Sequence, residues 1–592
     1  MAFGLRKSAP PAAAPPEAAP ATGEADAAAG PPPSWHLDQL GLSPDGHWLL
    51  ALGWADGRLE PDQLRLAEGG PAAWISRHPR PDVAAFLRRG ETDGGFGFLA
   101  AFALTANQPI GLPAWRGQPA GERTLLPATD PGWLESLRAV WPAAAGAPAL
   151  RAWLAPAESL PGARLRGHLD LALLLPEGEL LLSGWCYQLD EQPIEATLVD
   201  LASGAERPVS ACWSRVERAD VYSGIRHLLP AALHTGFVVR VPPALLGPAS
   251  QLHLLLGDGS RDLSLPVSPR TLAPQEVLPV LLGLFRSRQT EGLVDLLERQ
   301  LGAPLGAAQQ RRQPPRSSAL IEAAPCQPAS APRLSLLLPV FSASDPLRVV
   351  LAGLMPLAGR RDLEWLIGVD DPLLYREWSE QLPEWTASYG LRLRLLGSRG
   401  TLGYAALLNQ LAAVAQGEFL GLLDADLLLP SEDWLAPLLH PLLADPACGA
   451  SGPLLLHRDG ALASAGEQLE ALPGLAPLQG PRALDRRPPA VAPVPGLPSC
   501  GLFTRRAEFL AAGGLDAGYL GESLLGLDYC QRLARQGRHS VVVPSVALTR
   551  LGLRDATLQA REPRHGDPAL VANVQLYDCW RLQQREGAEA PR

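Results

Sequence analysis

Two carboxylates one residue apart, Asp424 and Asp426, close an apolar run that starts at Gly417-Glu418-Phe419 and continues through Leu420-Gly421-Leu422-Leu423. Leu427-Leu428-Leu429-Pro430 follow, then Asp433-Trp434-Leu435. A buried strand that empties into Asp-x-Asp presents hard oxygen ligands at the edge of a sheet. Mg²⁺ and Mn²⁺ prefer such oxygens and commonly take one or two carboxylates, with substrate phosphates completing the shell. The chemistry on offer is a divalent cation (Mn or Mg) that also holds a diphosphate. Asp is equally at home in strand-end turns for backbone reasons alone, so the motif gains its meaning from the elements that position it.

Those elements start at Arg333. Leu334–Val340, Leu363–Val369, Leu391–Leu396 and Phe419–Leu423 read as short apolar strands, and helix-like segments lie between them at 345–358, 373–389 and 403–416. Alternating strands and helices with fully apolar strands imply a mostly parallel sheet covered on both faces. Ligands bind beyond the carboxyl ends of such strands. Pro339, the pair Asp370/Asp371 and the pair Asp424/Asp426 all fall at such ends.

The rest of the chain sets the context. Its 592 residues suggest about four domains. A net charge of −10 argues against a nucleic-acid partner. Lys7 is the only lysine, so cationic work falls to arginine. Seven dispersed cysteines without metal-ligand spacing suit reduced thiols and a cytoplasmic location. No run reaches the ~18 apolar residues of a membrane span, which leaves peripheral membrane association open. Residues 1–33 are Ala/Pro-rich and read as disordered.

An internal repeat follows, in segments 34–150 and 160–270. The first holds Gly53-Trp54, Arg80-Pro81-Asp82-Val83 and Gly97-Phe98; the second holds Gly184-Trp185, Arg218-Ala219-Asp220-Val221 and Gly236-Phe237. Short apolar runs between turn residues predict two small β-sandwich-like domains. Trp54 and Trp185 are expected to plug their cores, with the Arg-x-Asp-Val segments anchoring a loop. Residues 271–302 carry a helical apolar period, 303–332 read as a linker, 333–555 as the α/β domain and 556–592 as a tail.

The α/β segment resembles the family-two glycosyltransferases, inverting enzymes of GT-A fold and here of bacterial surface-polysaccharide type. The resemblance rests on Pro339-Val340-Phe341, Glu364 through Asp371, Gly403 with Asn409, and Gly417-Glu418-Phe419 leading to Asp424-Ala425-Asp426. Gly452-Pro453, Asp459-Gly460, Ala465-Gly466, Gly513-Gly514-Leu515-Asp516, Asp528-Tyr529-Cys530-Gln531-Arg532 and Asp567-Pro568 with Asn573 extend it. It implies nucleotide-sugar binding by Pro339, Asp370, Asp371, Asn409 and Asp424, and metal binding by Asp424 and Asp426. It further implies a nucleotide-diphospho sugar as donor, a glycan or glycoprotein as acceptor, and hexosyltransferase-like transfer with inversion.

Three positions depart from the family. The usual catalytic carboxylate position is Gly526, within Leu525-Gly526-Leu527; a metal-binding His is replaced by Arg550; and a Ser after Asp370-Asp371 is replaced by Pro372. Glu522 and Asp528 are the remaining candidates for the base. Arg399 and Arg505-Arg506 are the remaining candidates, with Arg550, for the diphosphate. The departures also admit a degenerate GT-A domain that binds nucleotide sugar or glycan without turnover.

Overall fold

The computed structural model describes residues 35–551 and 568–589, apart from 45, 57–58, 68, 81–82, 84–94, 105–110, 122, 141–147, 158–162, 191–192, 231, 244–250, 258–261, 285–291, 313–320, 324–331, 342–346, 392, 398–401, 431–432, 474 and 476–477. The expected disordered stretch 1–33, and Asp82, Arg399 and Asp567, lie outside the described residues. The chain divides into two compact units, 1–142 and 143–592. Among the described residues no helix is long and apolar enough to cross a membrane.

In the first unit the main sheet runs, in order, Trp74–Pro79, Phe96–Ala103, Trp48–Ala55, Trp35–Leu42 and Leu125–Leu126. In the second unit the strands Ser214–Val216, Gly236–Val241, Leu180–Gln188, Leu165–Leu174 and Arg270–Thr271 repeat that order. In both, the last strand pairs parallel and the others antiparallel. The shared motifs hold the same register: Gly53 faces Phe98 and Trp54 faces Gly97, as Gly184 faces Phe237 and Trp185 faces Gly236.

This register assigns each repeated residue a physical task and corrects the one expected of the tryptophans. Side chains alternate across a strand, so each Gly faces inward and its Trp outward. The inward space is filled by Phe98 and Phe237, both fully buried. A Cβ on Gly53 or Gly184 would lie 2.7 or 2.9 Å from the Phe ring. Trp54 and Trp185 are half-buried instead, each packed on a histidine ring, His36 at 6.0 Å and His168 at 6.4 Å between centroids.

The arginines clamp a bulge. Asp38 and Asp170 are the extra residues where the register shifts. Arg80 reaches Asp38 at 2.9 Å; Arg218 pairs with Asp170 and, through two bonds, with Asp220. Both arginine stems cross a glycine whose Cβ would collide with them, Gly97 at 2.7 Å and Gly236 at 2.8 Å.

Past the second β module the helical period resolves into Val277–Leu282, Leu293–Leu296 and a π-turn leading into Gly302–Arg312. The expected linker therefore starts as a helix, because Leu305 and Ala308 are buried. Within the expected linker, Ile321–Ala323 also pairs antiparallel with the sheet edge at Ala323↔Leu395.

The α/β domain is one sheet in the order Ile321–Ala323, Leu393–Gly397, Leu363–Val369, Leu334–Val340, Phe419–Leu422, Leu502–Arg505, Cys448–Leu456, His539–Arg550 and Leu427–Leu428. Leu334–Val340 and Leu363–Val369 are buried along their whole length, as central parallel strands must be. At the amino ends of these strands Glu364, 6% exposed, ties the layers together. It accepts from Ser335 Oγ at 2.6 Å, Arg394 at 2.5 Å and the Gln416 amide at 2.9 Å. The expected tail carries the 22-residue helix Pro568–Glu589.

Candidate active site

Asp424 and Asp426 stand just past the carboxyl end of Phe419–Leu422, both buried. The Tyr404 hydroxyl donates to Asp424 Oδ1 at 3.0 Å, and the Tyr404 ring stacks on Phe341 at 6.0 Å. Asp370 sets up this contact. Its oxygens accept from the Leu402 and Gly403 amides at 2.5 and 3.0 Å, fixing the turn that delivers Tyr404. Gly403 takes φ +82°, a left-handed value that suits glycine.

The other residues expected at the nucleotide sugar make contacts within the fold. Asp371 caps the helix Pro372–Tyr389, accepting from the Leu373 and Leu374 amides at 2.8 and 3.2 Å. Pro372 occupies the first helical turn, where its missing N–H costs nothing. Asn409 binds Leu515 reciprocally, donating to its carbonyl and accepting from its amide, both at 2.8 Å. That bond moors the Gly513–Asp516 segment to the helix Tyr404–Val414. Pro339 is buried opposite Gly368 in the central strand pair.

The cation candidates sort similarly. Arg505 donates to the carbonyls of Leu442, Cys448 and Asp445, and Arg506 to those of Ala412 and Ala413 at the end of a helix. Arg550 ends its strand opposite Leu427, next to Asp426, whose carbonyl accepts from the Leu551 amide at 2.9 Å.

On the acceptor side, Asp528 is buried and ringed by donors: Arg532 at 3.0 Å, Arg585 at 3.0 and 3.2 Å, and Tyr519 at 3.3 Å. These bonds tie the helix Leu525–Arg535 to the helix Pro568–Glu589 through Arg585. Glu522 is half-buried in the loop before the helix Leu525–Arg535. Gly526 has no room for a side chain: a Cβ would collide with the Leu497 carbonyl and the Ser499 amide and lie 2.6 Å from the Pro498 carbonyl carbon.

Residues that sequence reasoning missed complete the site. Burial pushes the Cys500 thiol up to about 12; Asp424, Glu467 and Glu522 push it the same way and Arg550 opposes them. These groups thus share one neighbourhood. Burial also pushes Glu467 up to about 8, with Arg550 pulling it down, and among the described residues its Oε2 has no hydrogen-bond partner. Tyr404 and Glu467 carry no motif signal, and Asp578, Arg581 and Arg585 reach the site from a distant helix.

Among the described residues no three His, Cys, Asp or Glu side chains converge on a point that could hold a metal ion. Two buried carboxylates at a strand end nevertheless fit Mg²⁺ or Mn²⁺ shared with a diphosphate, which asks little more of the protein.

The sheet is mixed and corrects the expected mostly parallel one: it is parallel from Leu393–Gly397 through Leu363–Val369 and Leu334–Val340 to Phe419–Leu422, and largely antiparallel beyond. With Asp-x-Asp just past the end of Phe419–Leu422, it has the form of a GT-A type of domain at the C-terminal side of the chain. Residues 335–467 match the family model of glycosyl transferase family 2. Solved structures similar to this chain include GalNAc-T7 with UDP, GalNAc and Mn²⁺, at 16% identity over 37% of this chain and 43% of that one, TM-score 0.28. A second is the mannosyltransferase PcManGT from Pyrobaculum calidifontis with GDP-Man and Mn²⁺, at 16% identity over 53% and 88%, TM-score 0.26. A third is S. aureus TarS 1–349, at 13% identity over 37% and 60%, TM-score 0.26. This chain spans less than half of the first of these. No curated protein matches it.

Proposed function

We propose that the chain transfers a sugar from a nucleotide-diphospho sugar to a glycan or glycoprotein acceptor, with inversion, in surface-polysaccharide assembly or protein glycosylation. One observation carries the reading: Asp424 and Asp426 are buried just past the end of Phe419–Leu422, in a segment that matches a glycosyl transferase family, and Arg550 pairs with Leu427 next to them. In a single in-line displacement, the acceptor oxygen bonds to the anomeric carbon as the bond from that carbon to the diphosphate oxygen breaks. The leaving nucleoside diphosphate takes the electron pair, and Glu522 takes the acceptor proton. Asp424 and Asp426 would hold a divalent cation, which neutralises charge on the departing diphosphate. Arg550 supplies a fixed positive charge to the same group. The two N-terminal modules read as copies of one β-sandwich.

The closed Gly526 position favours a second reading, in which the domain binds nucleotide sugar as a scaffold without turnover. A panel of UDP- and GDP-sugars, scored for hydrolysis and for thermal stabilisation with and without Mn²⁺, separates the two. Turnover of one donor supports the enzyme, stabilisation without turnover supports the scaffold, and neither effect rejects both.

A further inference from the structure

We propose that Asp578, on the C-terminal helix Pro568–Glu589, is a positioning residue that sets where the Glu522 carboxylate stands. The inference rests on the reading of Glu522 as the base.

Asp578 is fully buried, and its two oxygens accept from two consecutive amides, Leu520 at 2.7 Å and Gly521 at 2.8 Å. Holding both amides fixes the orientation of two successive peptide planes, and the next residue is Glu522. The same helix secures the start of the loop. Arg581 reaches Asp516 at 3.1 Å, Arg585 bridges Asp516 and Asp528 at 3.0 Å each, and Asp516 accepts from the Gly518 amide at 2.9 Å.

The loop is cut to receive these side chains. A Cβ on Gly518 would collide with the Arg581 guanidinium, and one on Gly521 would lie 3.0 Å from Asp578 Oδ2. Both glycines of Gly518-Tyr519-Leu520-Gly521 are thereby explained by the helix and not by a turn.

The helix itself is held from behind. Asn573 donates to the Leu282 carbonyl at 2.8 Å, and Tyr577 is buried in a cluster shared with Leu281, Leu305 and Val238 of the β module. The base is therefore placed by a continuous path from β module to helix to loop. A buried carboxylate is costly, and an apolar residue here would serve packing equally well. What the carboxylate adds is a grip on the two amides preceding Glu522.

The test compares Asp578→Asn, Glu522→Gln and wild type in the full chain. Readouts are hydrolysis of UDP-glucose or GDP-mannose (whichever the panel turns over), calorimetric affinity for UDP or GDP with Mn²⁺, and hydrogen exchange over 517–524. Displacing a catalytic group by about 1 Å can cost ~10²-fold. Asp578→Asn should lower kcat by about that factor, leave nucleotide affinity unchanged, and speed exchange at the Leu520 and Gly521 amides. Full kcat in Asp578→Asn beside an inactive Glu522→Gln overturns the positioning role and spares the base. Unaltered exchange overturns it too, as does a joint fall of kcat, nucleotide affinity and melting temperature, which marks mere structure. Wild-type turnover in Glu522→Gln overturns the base assignment, and the inference with it.

Discussion

A side chain at Gly526 should damage the fold and should not restore a family-type base. Family resemblance places the acceptor-activating carboxylate there, so Gly526→Asp looks like a repair. The geometry opposes it. The atoms that a Cβ would meet belong to the backbone of Leu497, Pro498 and Ser499, which cannot rotate away as a side-chain tip could. Gly496 on the same stretch is itself pressed against Leu527, where its own Cβ would touch the Leu527 backbone at 3.1 Å. Overpacking of this kind costs typically ~1–3 kcal/mol for one added methyl. For a domain of roughly 200 residues, ~3 kcal/mol lowers the melting temperature by about 6–12 °C. Gly526→Ala isolates the steric term, and Gly526→Asp adds a carboxylate to it. Scanning fluorimetry of both, with UDP-sugar hydrolysis measured in parallel, should show both variants destabilised and neither gaining activity. A Gly526→Asp protein that melts like wild type and turns over faster would refute the reasoning.

Other expectations follow from the same structure. Phe98→Ala and Phe237→Ala should each cost about 3–5 kcal/mol, while Trp54→Ala costs less, since its ring is half-buried; equal losses of melting temperature would count against giving the core to the Phe rings. Tyr404→Phe keeps the stack on Phe341 and removes the bond to Asp424. A hydrogen bond to a charged group is worth about 1.5–3 kcal/mol, so Mn²⁺-dependent UDP affinity should fall by roughly tenfold or more; no change in calorimetry would dismiss Tyr404 from the site. Burial pushes the Asp578 carboxyl up to about 7. The unfolded chain gives up that proton near pH 4 and the folded chain holds it until about 7, so wild type loses stability relative to Asp578→Asn as pH rises through that window and levels off above it. Melting curves of both proteins at pH 4.5, 6 and 8 would expose a pH-independent difference, the contrary result.

How much was legible in the sequence varies with the range of the forces involved. The four core strands and three helices of the α/β domain showed as apolar runs because burial on both faces leaves a local signature. Asp424 and Asp426 stood out for the same reason, at the end of one such run. Roles decided across the fold were not legible. The cap that Asp371 gives its helix, and the bond of Asn409 to Leu515 106 residues further on, leave no local signature. In the repeat, the motif Gly-Trp drew attention to the large ring, whereas strand alternation sends the ring outward and gives the core to the Phe opposite the Gly. The helix Pro568–Glu589 lacks a strong amphipathic stripe, since one side carries arginines into a buried acidic network and another meets the β module. Nothing short of the tertiary structure joins Asp578 to Glu522.

The central claim is that Asp424 and Asp426 hold a cation shared with a nucleoside diphosphate. Calorimetric titration of UDP and GDP into wild type and Asp426→Asn, with and without Mn²⁺, tests it directly. Because the cation would be shared, metal and nucleotide affinities are linked and must fall together. The account predicts nucleotide binding by wild type that requires Mn²⁺, and loss of both affinities in Asp426→Asn with the circular dichroism spectrum unchanged. Nucleotide affinity that survives in Asp426→Asn, or that ignores Mn²⁺ in wild type, would contradict it and return Asp-x-Asp to an ordinary strand-end turn.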